Sequence, residues 1–131
     1  MTRSQSARLA FTAVALFCLA RAESASAAAR ECFFANDLSN WTDNDKGVLY
    51  LRVRVSDVYE LQLLGSCPDL HWAERIGIET RGGSSQICSG LDVVLIVPPS
   101  AGSTTPQRCM ASALHKLTPD EVRALPAKLR P

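Results

Sequence analysis

The fold is decided by Val48–Leu64, which reads VLYLRVRVSDVYELQLL. Leu49, Leu51, Val53 and Val55 alternate with Tyr50, Arg52 and Arg54, and a period of two marks a strand with one buried face. Asp57–Leu64 repeats the pattern, with Tyr59, Leu61 and Leu63 against Glu60 and Gln62. Like faces must match across a hairpin, which restricts the register. A two-residue turn at Ser56-Asp57 would oppose Val53 to Glu60. A three-residue turn, Ser56-Asp57-Val58, opposes Val53 to Leu61, Leu51 to Leu63 and Arg54 to Glu60, and is the register expected.

Working outward, Gly65 and Pro68 end the second strand. Pro68–Ala73 (PDLHWA) reads as one helical turn with Trp72 packing inward. Arg75–Thr80 (RIGIET) reads as a short strand, and Arg81–Gln86 (RGGSSQ) as a flexible turn. Val93–Val97 (VVLIV) is apolar throughout, as a central strand covered on both faces would be. Pro98–Gln107 is rich in Pro, Ser, Thr and Gly and reads as a loop before a last strand, Cys109–Lys116, although Met110, Ala111, Ala113 and Leu114 would also suit a helix. Thr118-Pro119-Asp120-Glu121 is a capping box with proline at the first helical position. Pro126 keeps the helix short, and Val122 and Leu125 would dock it on the sheet. The fold expected is α+β, a small antiparallel sheet or partly closed barrel with a short C-terminal helix.

Upstream, Met1–Arg8 carries Arg3 and Arg8 and no acid. Leu9–Ala20 (LAFTAVALFCLA) is apolar, and small residues fill Ser24–Ala29. This is the layout of a secretory signal peptide, and it falls short of the roughly 20 apolar residues that span a bilayer. Cleavage after Ala27 or after Ala29 fits the small-residue rule equally well. Residues 1–27 are therefore expected to be a cleavable signal, and 28–131 a single small domain. Cys18 follows Phe17 inside the apolar run, unlike a lipid-attachment cysteine, and belongs to the discarded segment.

The whole chain has 131 residues, 14 Lys+Arg, 13 Asp+Glu and five cysteines. Without Arg3, Arg8, Arg21, Glu23 and Cys18, its charge of +1 becomes −1 and the cysteine count becomes an even four. Such a balance excludes an electrostatically driven nucleic-acid binder. Cys32, Cys67, Cys88 and Cys109 in a small exported domain read as two disulfides. They lack the close pairs that preorganise zinc. Four cysteines allow three pairings. Cys32–Cys67 with Cys88–Cys109 closes the shortest loops and is favoured, against one objection. If Leu91–Val97 and Arg108–Leu117 form a simple hairpin, Cys88 and Cys109 lie roughly 20 Å or more apart at about 3.3 Å per residue, beyond the roughly 7 Å a disulfide tolerates.

Candidate chemistry is sparse. His71 and His115 are the only imidazoles. Ser84, Ser85 and Ser89 lack a nucleophile elbow, and Gly82-Gly83 lacks the features of a phosphate loop. His71 with Asp69 gives two metal ligands, too few to define a site. Asp43-Asn44-Asp45-Lys46-Gly47 has the start of a calcium loop, but Arg54 falls where the twelfth-position acid belongs. Asp120 and Glu121 read as a helix cap. No catalytic residue, metal or cofactor is therefore assigned. Tyr50, Arg52 and Arg54 form a candidate binding face, since arginine beside an aromatic suits interfaces and anionic groups.

An ordered set of short segments runs through the chain. It opens with Cys32-Phe33, Trp41, Tyr50–Val55 and Tyr59. It continues with Ser66-Cys67-Pro68-Asp69-Leu70, Arg75-Ile76-Gly77 and Ile87-Cys88-Ser89-Gly90. It closes with Gln107-Arg108-Cys109, Leu117–Glu121 and Leu125-Pro126. This set resembles the exported proteobacterial family named domain of unknown function 6491, over nearly all of the expected mature chain. Met110 departs from it where a proline follows the cysteine. The resemblance implies an envelope location and a four-cysteine framework, with no established activity.

The functional expectation is a periplasmic or secreted, non-enzymatic binding module. Its partner would be an envelope or extracellular protein, with no nucleic acid and no membrane span in the mature chain. The alternative is a small envelope hydrolase or metal-dependent enzyme using His71 or His115.

Overall fold

The computed structural model describes residues 31–131; the expected signal segment, 1–27, lies outside the described residues. Eight strands and one helix follow in order. They are β1 (Phe33–Phe34), β2 (Leu38–Asp43), β3 (Val48–Val53), β4 (Asp57–Leu63), β5 (Gly77–Thr80), β6 (Gln86–Ile87), β7 (Val93–Val97), β8 (Gln107–Lys116) and α1 (Pro119–Ala124). Six strands make one antiparallel sheet in the order β2-β3-β4-β8-β7-β5, and β1 and β6 form a separate ribbon. The sheet curls into a half-barrel, so the α+β class with a partly closed barrel and a short C-terminal helix holds.

Strand β8 makes the curl. Its first part, Gln107–Met110, pairs with β7, and its second, Ala111–Lys116, pairs with β4. Within the second part Ser112 bulges, because Gln62 faces Ala113 while Leu63 faces Ala111. A bulge adds bend and twist to a strand. Leu49, Leu51, Val53, Leu61, Ile87, Val93, Leu95 and Val97 are almost wholly buried in one core cluster, with Phe33 and Tyr59 beside them. Burying a side chain of this kind contributes about 1.5–3 kcal/mol.

The β3–β4 hairpin keeps the expected face matching but corrects the register. Val53 faces Asp57, Leu51 faces Tyr59, Leu49 faces Leu61 and Tyr50 faces Glu60. The turn is Arg54-Val55-Ser56, not Ser56-Asp57-Val58, and Val55 is 87% exposed. The expected register would leave Val48 and Leu49 opposite Ser66 and Gly65. The observed one keeps all of β3 paired, closed by Leu63 N–H donating to the Gly47 carbonyl at 2.8 Å. Arg54 takes φ +56° there and bonds Asp37, not Glu60, with its Nε 3.0 Å from the carboxylate.

Two further expectations are corrected. Residues Leu70–Trp72 do form a 3-10 turn, but Leu70 is the buried residue and Trp72 is 77% exposed. The disulfides are Cys32–Cys88 and Cys67–Cys109, with Cα separations of 4.2 and 5.9 Å. Cys32–Cys67 with Cys88–Cys109 fails because Cys109 sits opposite Leu95 in the β7–β8 pair, well beyond Cys88. Cys88 instead continues the ribbon in which Ile87 faces Phe33, and so meets Cys32.

At the other end, the capping box is complete. Thr118 N–H donates to Glu121 Oε2 at 2.7 Å, and Glu121 N–H to Thr118 Oγ1 at 3.3 Å. Arg130 donates to the carbonyls of Leu125 and Arg123 at the end of α1. Val122 and Leu125 are half-buried. Thr42 Oγ1 donates to the Leu129 carbonyl at 2.7 Å and ties the C-terminal arm to β2. No helix among the described residues is long and apolar enough to cross a membrane.

Candidate functional site

The described residues bring one imidazole and two carboxylates together at the end of β2. Asp43 is the last residue of β2, and Asp45 lies in the turn to β3. Asn44 shapes this turn: its Oδ1 accepts from the N–H groups of Lys46 and Val48, and its own N–H donates to the Val48 carbonyl. Side-chain amides that replace backbone partners in this way fix tight turns. Gly47 adopts φ +81° and Asp45 φ +58°. Asp45 N–H donates to Asp43 Oδ2 at 3.2 Å.

His71 arrives from a different part of the chain. It sits on the 3-10 turn Leu70–Trp72, four residues after Cys67, which the disulfide holds to β8. Buried Leu70 beneath it, and Gln107 Oε1 accepting from Asp69 N–H at 3.3 Å, anchor the turn. His71 Nδ1 contacts Asp45 Oδ1 directly and lies 3.5 Å from Asp43 Oδ2. The ligating atoms of the three residues all fall within 4.8 Å of one another. The Asp43 carboxylate is 14% exposed, against 62% for Asp45 and 50% for His71.

Grooves open on both sides of this cluster. One, of about 460 Å³, runs along edge strand β2 between Asn40, Trp41 and Thr42 and the segments Ala73-Glu74 and Lys128-Leu129. The second, of about 400 Å³, lies between Lys46-Gly47 and Ser66-Cys67-Pro68. Asp43, Asp45 and His71 line both. Each groove is within the size range that holds a small ligand.

The other residues singled out in the sequence fall elsewhere. Asp69 does not join His71; it accepts from Ser100 Oγ at 3.1 Å. His115 is exposed on β8, opposite Glu60 and 3.6 Å from Glu121. Ser84 and Ser89 accept from the N–H groups of Gln86 and Leu91, the ordinary work of turn serines. Tyr50 is buried, Arg52 half-buried with its Nε enclosed and unbonded, and Arg54 is in the turn against Asp37. Thr42 faces Tyr50 across the β2–β3 pair, so the arm bonded to Thr42 lies over the same face. Burial raises the pKa of Tyr50, and neighbouring Glu60 raises it further.

Asp43 and Asp45 are 28 and 26 residues from His71, so no local pattern joins them. They meet where buried Leu70, the Asp69–Gln107 hydrogen bond and the Cys67–Cys109 disulfide together anchor the turn that carries His71.

The described residues thus form a curved antiparallel sheet with a short C-terminal helix, two disulfides and a His-Asp-Asp cluster between surface grooves. The family model described as a family of unknown function, DUF6491, matches residues 2–131, and the chain belongs to that family. No curated protein and no solved structure matches it.

Proposed function

We propose that the protein is an exported, non-enzymatic binding module of the cell envelope that uses the two grooves flanking Asp43, Asp45 and His71. The observation that carries this reading is the site's construction: the turn and the disulfide-tethered segment hold three polar side chains in place between two open grooves. Groups fixed before binding reduce the ordering cost of association. Two disulfides suit an oxidising compartment, and the basic, apolar and small-residue order of residues 1–29 suits export.

The test is photo-crosslinking in cells with intact envelopes, with the crosslinker placed at Asn40, Glu74 or, outside both grooves, Arg81. The expected product is a processed chain in the periplasmic or secreted fraction, crosslinked to a partner from Asn40 and Glu74 and not from Arg81. An unprocessed chain in the cytoplasm, or equal crosslinking from all three positions, would overturn the reading.

A second reading, a small envelope hydrolase or metal-dependent enzyme, is favoured by the carboxylate contacts on His71. Such contacts orient an imidazole for proton transfer. Turnover of ester, phosphoester or glycoside substrates, lost in His71→Ala or His115→Ala, would support it. A purified protein that turns over none of them counts against it.

A further inference from the structure

We infer that Asp43, Asp45 and His71 form a binding site for a divalent transition-metal cation of the zinc type. This deepens the binding reading above and rests on the same grooves. The first argument is charge. Two carboxylates converge, and among the described residues no lysine or arginine is within ion-pair distance of either; His71 is their only such partner. An imidazole nitrogen can donate one hydrogen, yet two carboxylate oxygens crowd this one. A cation between the three groups would satisfy all of them.

The second argument is that the imidazole has an independent origin. A surface loop often gathers aspartates by composition alone, but His71 belongs to another segment. Buried Leu70 and the Cys67–Cys109 bond bring it to the turn. The site therefore joins two separately anchored elements, and a bound ion would cross-link them.

Ligand chemistry selects the ion. Calcium and magnesium take oxygen ligands almost exclusively, whereas one nitrogen and two carboxylate oxygens suit zinc and its neighbours in the first transition row. Three protein ligands leave at least one coordination position for water or for a donor from a bound molecule. The cluster lines both grooves, so a ligand in either could supply that donor.

Trp72 provides a built-in reporter. Its exposed ring lies edge-on to the His71 imidazole, with centroids 5.0 Å apart. The experiment titrates untagged protein, both disulfides intact, with Zn²⁺ alone, followed by calorimetry and tryptophan fluorescence. The expected result is one equivalent per chain, with a fluorescence change that disappears in Trp72→Phe. His71→Gln and Asp45→Asn should each weaken binding by at least the roughly 10–100-fold that losing an outer-shell partner of a metal ligand costs. His115→Gln should leave binding unchanged, and millimolar Ca²⁺ should not displace the ion.

Both test residues are substantially exposed, and circular dichroism with a thermal melt verifies that each variant folds. Absence of saturable binding, or binding equal in wild type, His71→Gln and Asp45→Asn, would overturn the site. The crosslinking separates the two readings. Groove crosslinks that persist in chelator while no zinc binds would remove the metal and leave the binding module. Zinc binding without crosslinks would do the reverse.

Discussion

Gly90 is pressed against the backbone of Ala113: a Cβ added to it would lie 2.4 Å from the Ala113 nitrogen and 2.6 Å from its Cα. Gly90 opens the short 3-10 turn before β7, and Ala113 follows the bulge in the part of β8 that pairs with β4. The absence of a side chain allows the turn to cover the flank of β8.

Gly90→Ala should therefore destabilise the domain by about 3 kcal/mol, the upper part of the usual range for overpacking. The obstacle is backbone, which has little freedom to move aside. Urea denaturation checks this. An unchanged midpoint would show that the turn does not lie where described.

Non-reducing peptide mapping should recover Cys32 linked to Cys88 and Cys67 linked to Cys109. Replacing either pair by serine should cost about 4 kcal/mol by loop-closure entropy. The second replacement should also abolish the His71 contribution to zinc binding, because Cys67 tethers that turn. A Cys32–Cys67 peptide would contradict the observed topology.

Val55 tests the hairpin register. It lies in the turn and is 87% exposed, so Val55→Lys should change stability by no more than about 0.5 kcal/mol. Val53, one strand position earlier on the core face, is 1% exposed. Val53→Lys should prevent folding, since it would bury an unpaired charge. Equal penalties at the two positions would restore the alternative register.

The protein has two tyrosines, and burial raises the pKa of both above 10.0. Folding thus favours the neutral phenols, a contribution present below the unfolded pKa and lost as pH rises through the folded values. Absorbance titration at alkaline pH should show little tyrosinate until the protein unfolds. A full two-tyrosine signal near pH 10 with native circular dichroism would refute the burial.

Hydrogen bonds from the Thr118 backbone and hydroxyl lower the pKa of Glu121. The carboxylate form is favoured on folding, so its contribution is present above the unfolded pKa and fades as pH falls through the folded one. Glu121→Gln should reduce the loss of stability on acidification over that interval. Thr118→Ala should cost about 1 kcal/mol at neutral pH. Thermal melts across the acid range read both.

The parts legible in the sequence have local causes. Alternation along Leu49–Val53 and Tyr59–Leu63, the apolar run Val93–Val97 and the capping box at Thr118 each follow from neighbouring residues. Strand β2 (LSNWTD) lacks clear alternation because it is an edge strand that meets the core only through half-buried Leu38 and Trp41, while Thr42 on its other face meets the C-terminal arm. The β1–β6 ribbon is two residues long on each side and leaves no periodic trace. The turn at Arg54 uses a positive φ on a residue that does not advertise one. In Pro68–Ala73 nothing local tells which apolar side chain turns inward, and Leu70, not Trp72, fills the core. The His71 cluster is illegible for a different reason: its members meet only through the tertiary fold, on a turn anchored by buried Leu70, Gln107 and a disulfide between residues 42 apart.

The division of β8 between two partners has a consequence for the order in which the molecule can assemble. The meander β2–β3–β4 and the pair β5–β7 share no strand until Gln107–Lys116 arrives. Until then the two parts are linked through the β1–β6 ribbon and the Cys32–Cys88 bond and not by a shared sheet. The Cys67 thiol would also have no partner until residue 109 appeared. The sheet closes late, as a zip does when its slider reaches the last teeth, and a chain cut before β8 would not retain a smaller version of this fold.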